Sequence, residues 1–75
     1  MVTKQAYNAF MDAPISSKDQ EIWENIEMSC KPMEKMDTLE FMVFMKLAGN
    51  EIEFHYPDMT DAKLSELFHD HIMDI

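Results

Sequence analysis

Two periodicities of apolar and polar positions run along this chain. Between Thr3 and Asp12, the residues Ala6, Tyr7, Phe10 and Met11 recur at the spacing of one helical face. Pro14 and the Ser16-Ser17 pair interrupt the pattern. Ser17 with Gln20 has capping-box spacing, and Asp19 and Glu21 suit the positive end of a helix dipole. A second helix is therefore predicted to run to about Cys30. Ile22, Trp23, Ile26 and Cys30 lie on its apolar side, and Glu21, Glu24 and Glu27 on the other.

Pro32 disfavours an α conformation at Lys31 and ends that helix. A third begins between Pro32 and Thr38, the later start having its own cap in Asp37 with Glu40 three residues on. Gly49-Asn50 is its expected stop, with glycine supplying a left-handed residue. Met36, Leu39, Val43 and Leu47 form one face, while Phe41, Phe44, Met45 and Ala48 extend the apolar cover. No polar residue falls between Glu40 and Lys46. A helix apolar nearly all round is either central to a core or held between core and partner. Three or four short helices can hardly surround it, so Phe41, Met42, Phe44 and Met45 are expected to form part of an intermolecular surface.

The second periodicity is that of EIEFHYP, which alternates with period two. Ile52, Phe54 and Tyr56 fall on one face, and Glu51, Glu53 and His55 on the other. No second strand of equal strength exists in the chain. The segment is thus an extended connector whose aromatics plug the core, or a strand that finds an edge in a second copy or a partner. Pro57 ends it. Thr60 or Asp58 caps a final helix from Asp61 to about Met73, buried through Ala62 (or Leu64), Leu67, Phe68, His71 and Ile72. There is no internal repeat, low-complexity run or long linker. The expected fold is mostly α: a small compact bundle of about four short helices with one extended segment at about 51–56, in a single domain over 1–75.

Composition sharpens this picture. A chain of 75 residues buries only roughly 60% of its unfolded surface, so support from a partner chain is a recurring need at this size. An apolar content of 47% is too high for disorder despite a net charge of −9. The chain is expected to fold, alone or on binding, and self-association is in view. One cysteine, Cys30, allows no intrachain disulfide and fits a reducing cytosol. It reads as a small core residue, since only Lys31 offers it a basic neighbour. MVTKQAYNAF lacks the apolar core of a signal peptide. The longest apolar run, Phe41 to Met45, falls far short of the about 20 residues of a bilayer span. A soluble, cytoplasmic protein is the expectation.

Candidate chemistry is sparse. His69, Asp70, His71 and Asp74 cluster in sequence, with His55 available from the extended segment, and imidazole with carboxylate is a usual zinc or iron set. Residues two apart on a helix point roughly 200° apart, however, and the i,i+4 pair of helical metal sites is missing. His71 reads instead as partly packed, and His69 as a partner of the last helical carbonyls. A metal-dependent activity at His55, His69 and His71 is kept as a minor alternative. DMTDAKLSELFHD lacks the glycine and ordered ligands of a calcium loop, and Met33/Met36 and Met42/Met45 read as core rather than as copper ligands. No serine elbow, phosphate loop or Cys/His pairing is present, and the acids fall mainly on polar faces. No cofactor is expected, and an enzyme is not.

Charge then selects the partner class. The six lysines are scattered, there is no arginine, and the excess of acid would repel a duplex, so no direct nucleic-acid binding is expected. A protein partner with a basic surface is expected instead, steered by the field of the acids. Phe41, Met42, Phe44 and Met45 would anchor it, rimmed by Glu24, Glu27, Glu51, Glu53, Asp58 and Asp61. Asp70, Glu66 and Asp74 extend the acidic surface. A small regulator or inhibitor of a nucleic-acid-handling enzyme, of the kind viruses and mobile elements encode, fits these properties. The alternatives are a homodimeric structural or adaptor protein, and acidity that serves only solubility.

Overall fold

Each of the four longer helices starts at a side chain that satisfies an orphan amide. In the computed structural model, which describes residues 1–73, Thr3 accepts from the Ala6 N–H at 3.1 Å and begins α1, Lys4–Asp12. Ser16 begins α2, Ser17–Ser29, through a reciprocal box with Asp19 at 3.1 and 3.2 Å. Asp37 begins α3, Thr38–Ala48, through a second box with Glu40. A single turn, α4, spans Ile52–His55, and Thr60 begins α5, Asp61–His71. Short 3-10 turns cover Met33–Lys35 and Gly49–Glu51. The four longer helices and the mostly α bundle agree with the sequence. The cap of α2 does not: it is Ser16, not Ser17, because the Asp19 carboxylate is a stronger acceptor than the Gln20 amide.

Two expected features are corrected at the helix ends. Cys30 closes α2 in the left-handed region, φ 50° and ψ 43°. Its N–H reaches the Glu27 carbonyl and the Lys31 N–H the Ile26 carbonyl, both at 3.3 Å, the pairing of a Schellman stop. In that turn Cys30 is exposed rather than a core residue. Gly49, by contrast, is not left-handed. Its φ is −58°, and the chain runs on through the 3-10 turn into α4.

Residues 51–56 are therefore not extended. Ile52 and Tyr56 turn inward under a helical period as readily as under a strand period. The difference lies in what comes with them: His55 in a helix, Phe54 in a strand. A turn of helix satisfies its own backbone, with the Tyr56 N–H on the Ile52 carbonyl at 2.7 Å, whereas a lone strand leaves its amides unpaired.

Most of the apolar circumference of α3 is covered within the chain, Leu39 being the exposed exception. On one side Phe41, Phe44 and Ala48 pack with Ile26, Met33, Met36 and Leu67, bordered by Trp23, Ile52, Tyr56 and Met59. On the other, Met42 packs with Tyr7 and Ile72, bordered by Val2, Phe10 and Met11. Phe41, Met42 and Phe44 are consequently interior, and Met45 is half-buried. The expected intermolecular face of this helix is corrected on those three residues. The cover comes from an element the sequence did not announce: Val2–Thr3 (β1) pairs in parallel with Ile72–Met73 (β2), in the register Val2 to Ile72.

A buried ion pair joins three helices. Lys46 Nζ of α3 lies 3.3 Å from Asp19 Oδ2 and 3.3 Å from the Pro14 carbonyl, and sits 4.3 Å from the centroid of the Phe10 ring. Both side chains are about nine-tenths buried or more, at 5% and 10% exposure. With these partners in place, no buried side-chain polar atom among the described residues lacks a hydrogen bond.

Candidate functional site

The regular run of α2 places Trp23, Ile26, Glu27 and Cys30 on one stripe, and α4 presents His55 and Tyr56 opposite it. Between them is a half-open cleft of about 180 Å³, floored by Phe44. Its walls are rings. Trp23 lies 5.4 Å from His55, edge to face, and 5.7 Å from Phe44. Phe44 lies 5.3 Å from Tyr56 and 6.0 Å from His55, again edge to face. The Tyr56 hydroxyl donates to the Lys31 carbonyl, which pins the turn of α2 against α4. Lys31 is itself held, its ammonium on both oxygens of Glu40 at 2.8 and 2.9 Å. Burial raises the Tyr56 phenol above its ordinary value of 10.0, aided by the nearby Glu34 carboxylate. The hydroxyl therefore stays a protonated donor at neutral pH.

The outer edge of α4 carries a different surface. Phe54 is 81% exposed, the ring left outside when the segment coils as a helix. With Asn50, Glu51 and Glu53 it lines a second, shallow hollow. His55 connects the two regions: its ring lies 5.1 Å from that of Phe54, and its Nε2 lies 3.6 Å from Glu51 Oε2. An exposed aromatic with carboxylates on either side thus leads inward to a ring-lined cleft with Glu27 among its lining residues. No lysine lines either hollow.

Of the side chains expected to meet a partner, the structure leaves the acids outside and takes most of the apolar anchors inside. Glu24, Glu27, Glu51, Glu53, Asp58 and Asp61 are exposed. Glu51 and Glu53 come together around Phe54, and Glu27 stands at the cleft. Asp58 and Asp61 border other hollows, beyond α4. Phe54 is the residue missed, because a period-two reading turned it towards the core. A helical reading of Ile52, His55 and Tyr56 would have found it.

The histidines go to separate tasks. His71 Nδ1 is 2.9 Å from the Thr38 hydroxyl, and its ring stacks on Phe41 at 5.0 Å. His69 is exposed at the edge of Phe68, and Asp74 lies outside the described residues. Among the described residues, no three His, Cys, Asp or Glu side chains are grouped to hold a metal ion. Nor is any helix among them long and apolar enough to cross a membrane. Comparisons with protein-family models, with curated proteins and with solved structures find no match to this chain.

Proposed function

We propose that this protein is a non-enzymatic acidic binding module that docks on a basic protein surface through the edge of α4. The observation that carries this reading is Phe54, an exposed phenylalanine held between Glu51 and Glu53. Monomeric proteins expose single apolar residues routinely. Here, however, the ring lies against His55, which lines an aromatic cleft, on a chain of net charge −9. A basic partner is drawn by the field and held by the ring, since anchors supply affinity and rim charges supply rate and choice. A small regulator or inhibitor of a nucleic-acid-handling enzyme has these needs.

The test is capture from a lysate of the source cell by the wild-type protein and by Phe54→Ser, at low and high salt. The reading expects one basic protein retained by the wild type, weakened by salt and lost with Phe54→Ser. An unchanged capture pattern with Phe54→Ser sinks it. The homodimer reading rests on the same exposed ring and is separated by light scattering: a dimer that Phe54→Ser dissociates would move the function to self-assembly.

A further inference from the structure

We infer that the cleft between α2 and α4 is an arginine pocket, receiving one guanidinium side chain of the basic partner. The inference rests on the binding reading above and names the group that enters. Size decides first. A void of about 180 Å³ lies below the roughly 300–1,000 Å³ of small-molecule sites. It is close to the roughly 150 Å³ that accommodates a single benzene ring. It therefore takes one side-chain-sized group.

Charge and shape decide next. Trp23, Phe44, His55 and Tyr56 line the cleft with rings that pack against one another. Half-buried Trp23 is the largest of them, an aromatic surface of the kind a cation favours. Glu27 adds a carboxylate, and no lysine of this chain lines the space. The Tyr56 proton is already given to the Lys31 carbonyl, so the phenol offers no free donor that would favour an anion. Each of these features suits a cation. A flat guanidinium stacks on rings and engages a carboxylate with two parallel N–H groups, which an ammonium does not.

Trp23 is the chain's single tryptophan and reports on the cleft directly. The probes are two peptides of equal charge, Lys-Lys-Gly-Arg-Gly-Lys-Lys and the same peptide with lysine at its centre, titrated into the intact protein. Trp23 fluorescence and amide and indole N–H shifts are followed. The arginine peptide is expected to shift the Trp23 indole saturably and to bind about fivefold tighter, the order of one part-exposed ion-pair contact. Glu27→Gln, on an exposed helical position, is expected to remove most of that preference without altering the fold. If both peptides bind equally and move only Phe54, Glu51 and Glu53, the arginine pocket is wrong and the docking edge stands. If the arginine peptide moves Trp23 while the Phe54 edge is silent, the edge is wrong and the pocket stands. If neither moves any signal, both are wrong.

Discussion

Lys46 reaches back from α3 to an acid that the sequence placed on a helix only for its dipole. Burial by itself would raise the Asp19 carboxyl. The Ser16 backbone N–H and the Lys46 ammonium outweigh it and hold the group below its ordinary 3.8. A depressed carboxyl stabilises the fold fully above the unfolded value and loses that contribution as pH falls from 3.8 through the folded value. Asp19→Asn leaves Lys46 buried without its counter-charge. The expected cost near pH 7 is about 2–3 kcal/mol, shrinking towards zero well below pH 3.8 as wild-type Asp19 protonates. Urea denaturation at the two pH values checks it, and an equal loss at both would show that the charge is irrelevant. Neighbouring residues make a second point about backbone. The one glycine, Gly49, is helical, while Cys30 occupies the left-handed turn where glycine would be free of strain. Cys30→Gly is expected to stabilise by about 1 kcal/mol. Gly49→Ala should add about 0.5 kcal/mol, its Cβ meeting only the flexible Met45 side chain at 3.6 Å. Thermal melts of the two variants test both signs.

At the scale of elements, α3 and α4 exchange the roles expected of them. An all-apolar helix reads as surplus surface when only four short helices are counted against it. The count omits the paired ends and the turns of 33–35 and 49–55, which complete its cover. Phe44→Ala is accordingly expected to cost about 3–4 kcal/mol, and Phe44→Glu to unfold the chain whether or not it meets a partner. Phe44 thus cannot discriminate between binding and assembly. Phe54→Ser can, with a stability change within about 0.5 kcal/mol, checked by the same urea midpoints. The cap at Asp37, Thr60 as one of two cap candidates for α5, the end of α1 at Asp12 and that of α2 just before Pro32 were legible, because each is set by residues within one turn. EIEFHY was not, because its apolar spacing serves both periods and only the surroundings choose between them. In those surroundings the His55 ring lies against Trp23 and Phe44.

For the whole molecule, the acids expected at a binding surface, Glu24, Glu27, Glu51, Glu53, Asp58 and Asp61, are exterior, since nothing in an apolar interior compensates an unpaired carboxylate. The buried Asp19 has Lys46. The interior was legible only in part, since Phe41, Met42 and Phe44 were expected at a partner surface and Cys30 inside. Its division into two clusters on either side of α3 was not legible at all. That division depends on Val2 meeting Ile72, a contact across nearly the full chain that no local pattern encodes. The Met33 and Met36 side chains, read as core, are core, buried at 0% and 3% exposure. They fill an irregular space that an unbranched, flexible side chain suits.

The β1–β2 pairing has a consequence in time as well as in space. Synthesis runs from the N-terminus, so Val2 and Tyr7 emerge long before Ile72 exists to cover them. The cluster beneath α2 lacks only α5 once Met59 has been made, while the Tyr7–Met42–Ile72 cluster must wait for a loop of nearly the whole chain to close. Loop closure of that length is entropically dear and late. A growing chain therefore shows the inner face of α1 to its surroundings until Ile72 has emerged, and this face is the one a chaperone would meet.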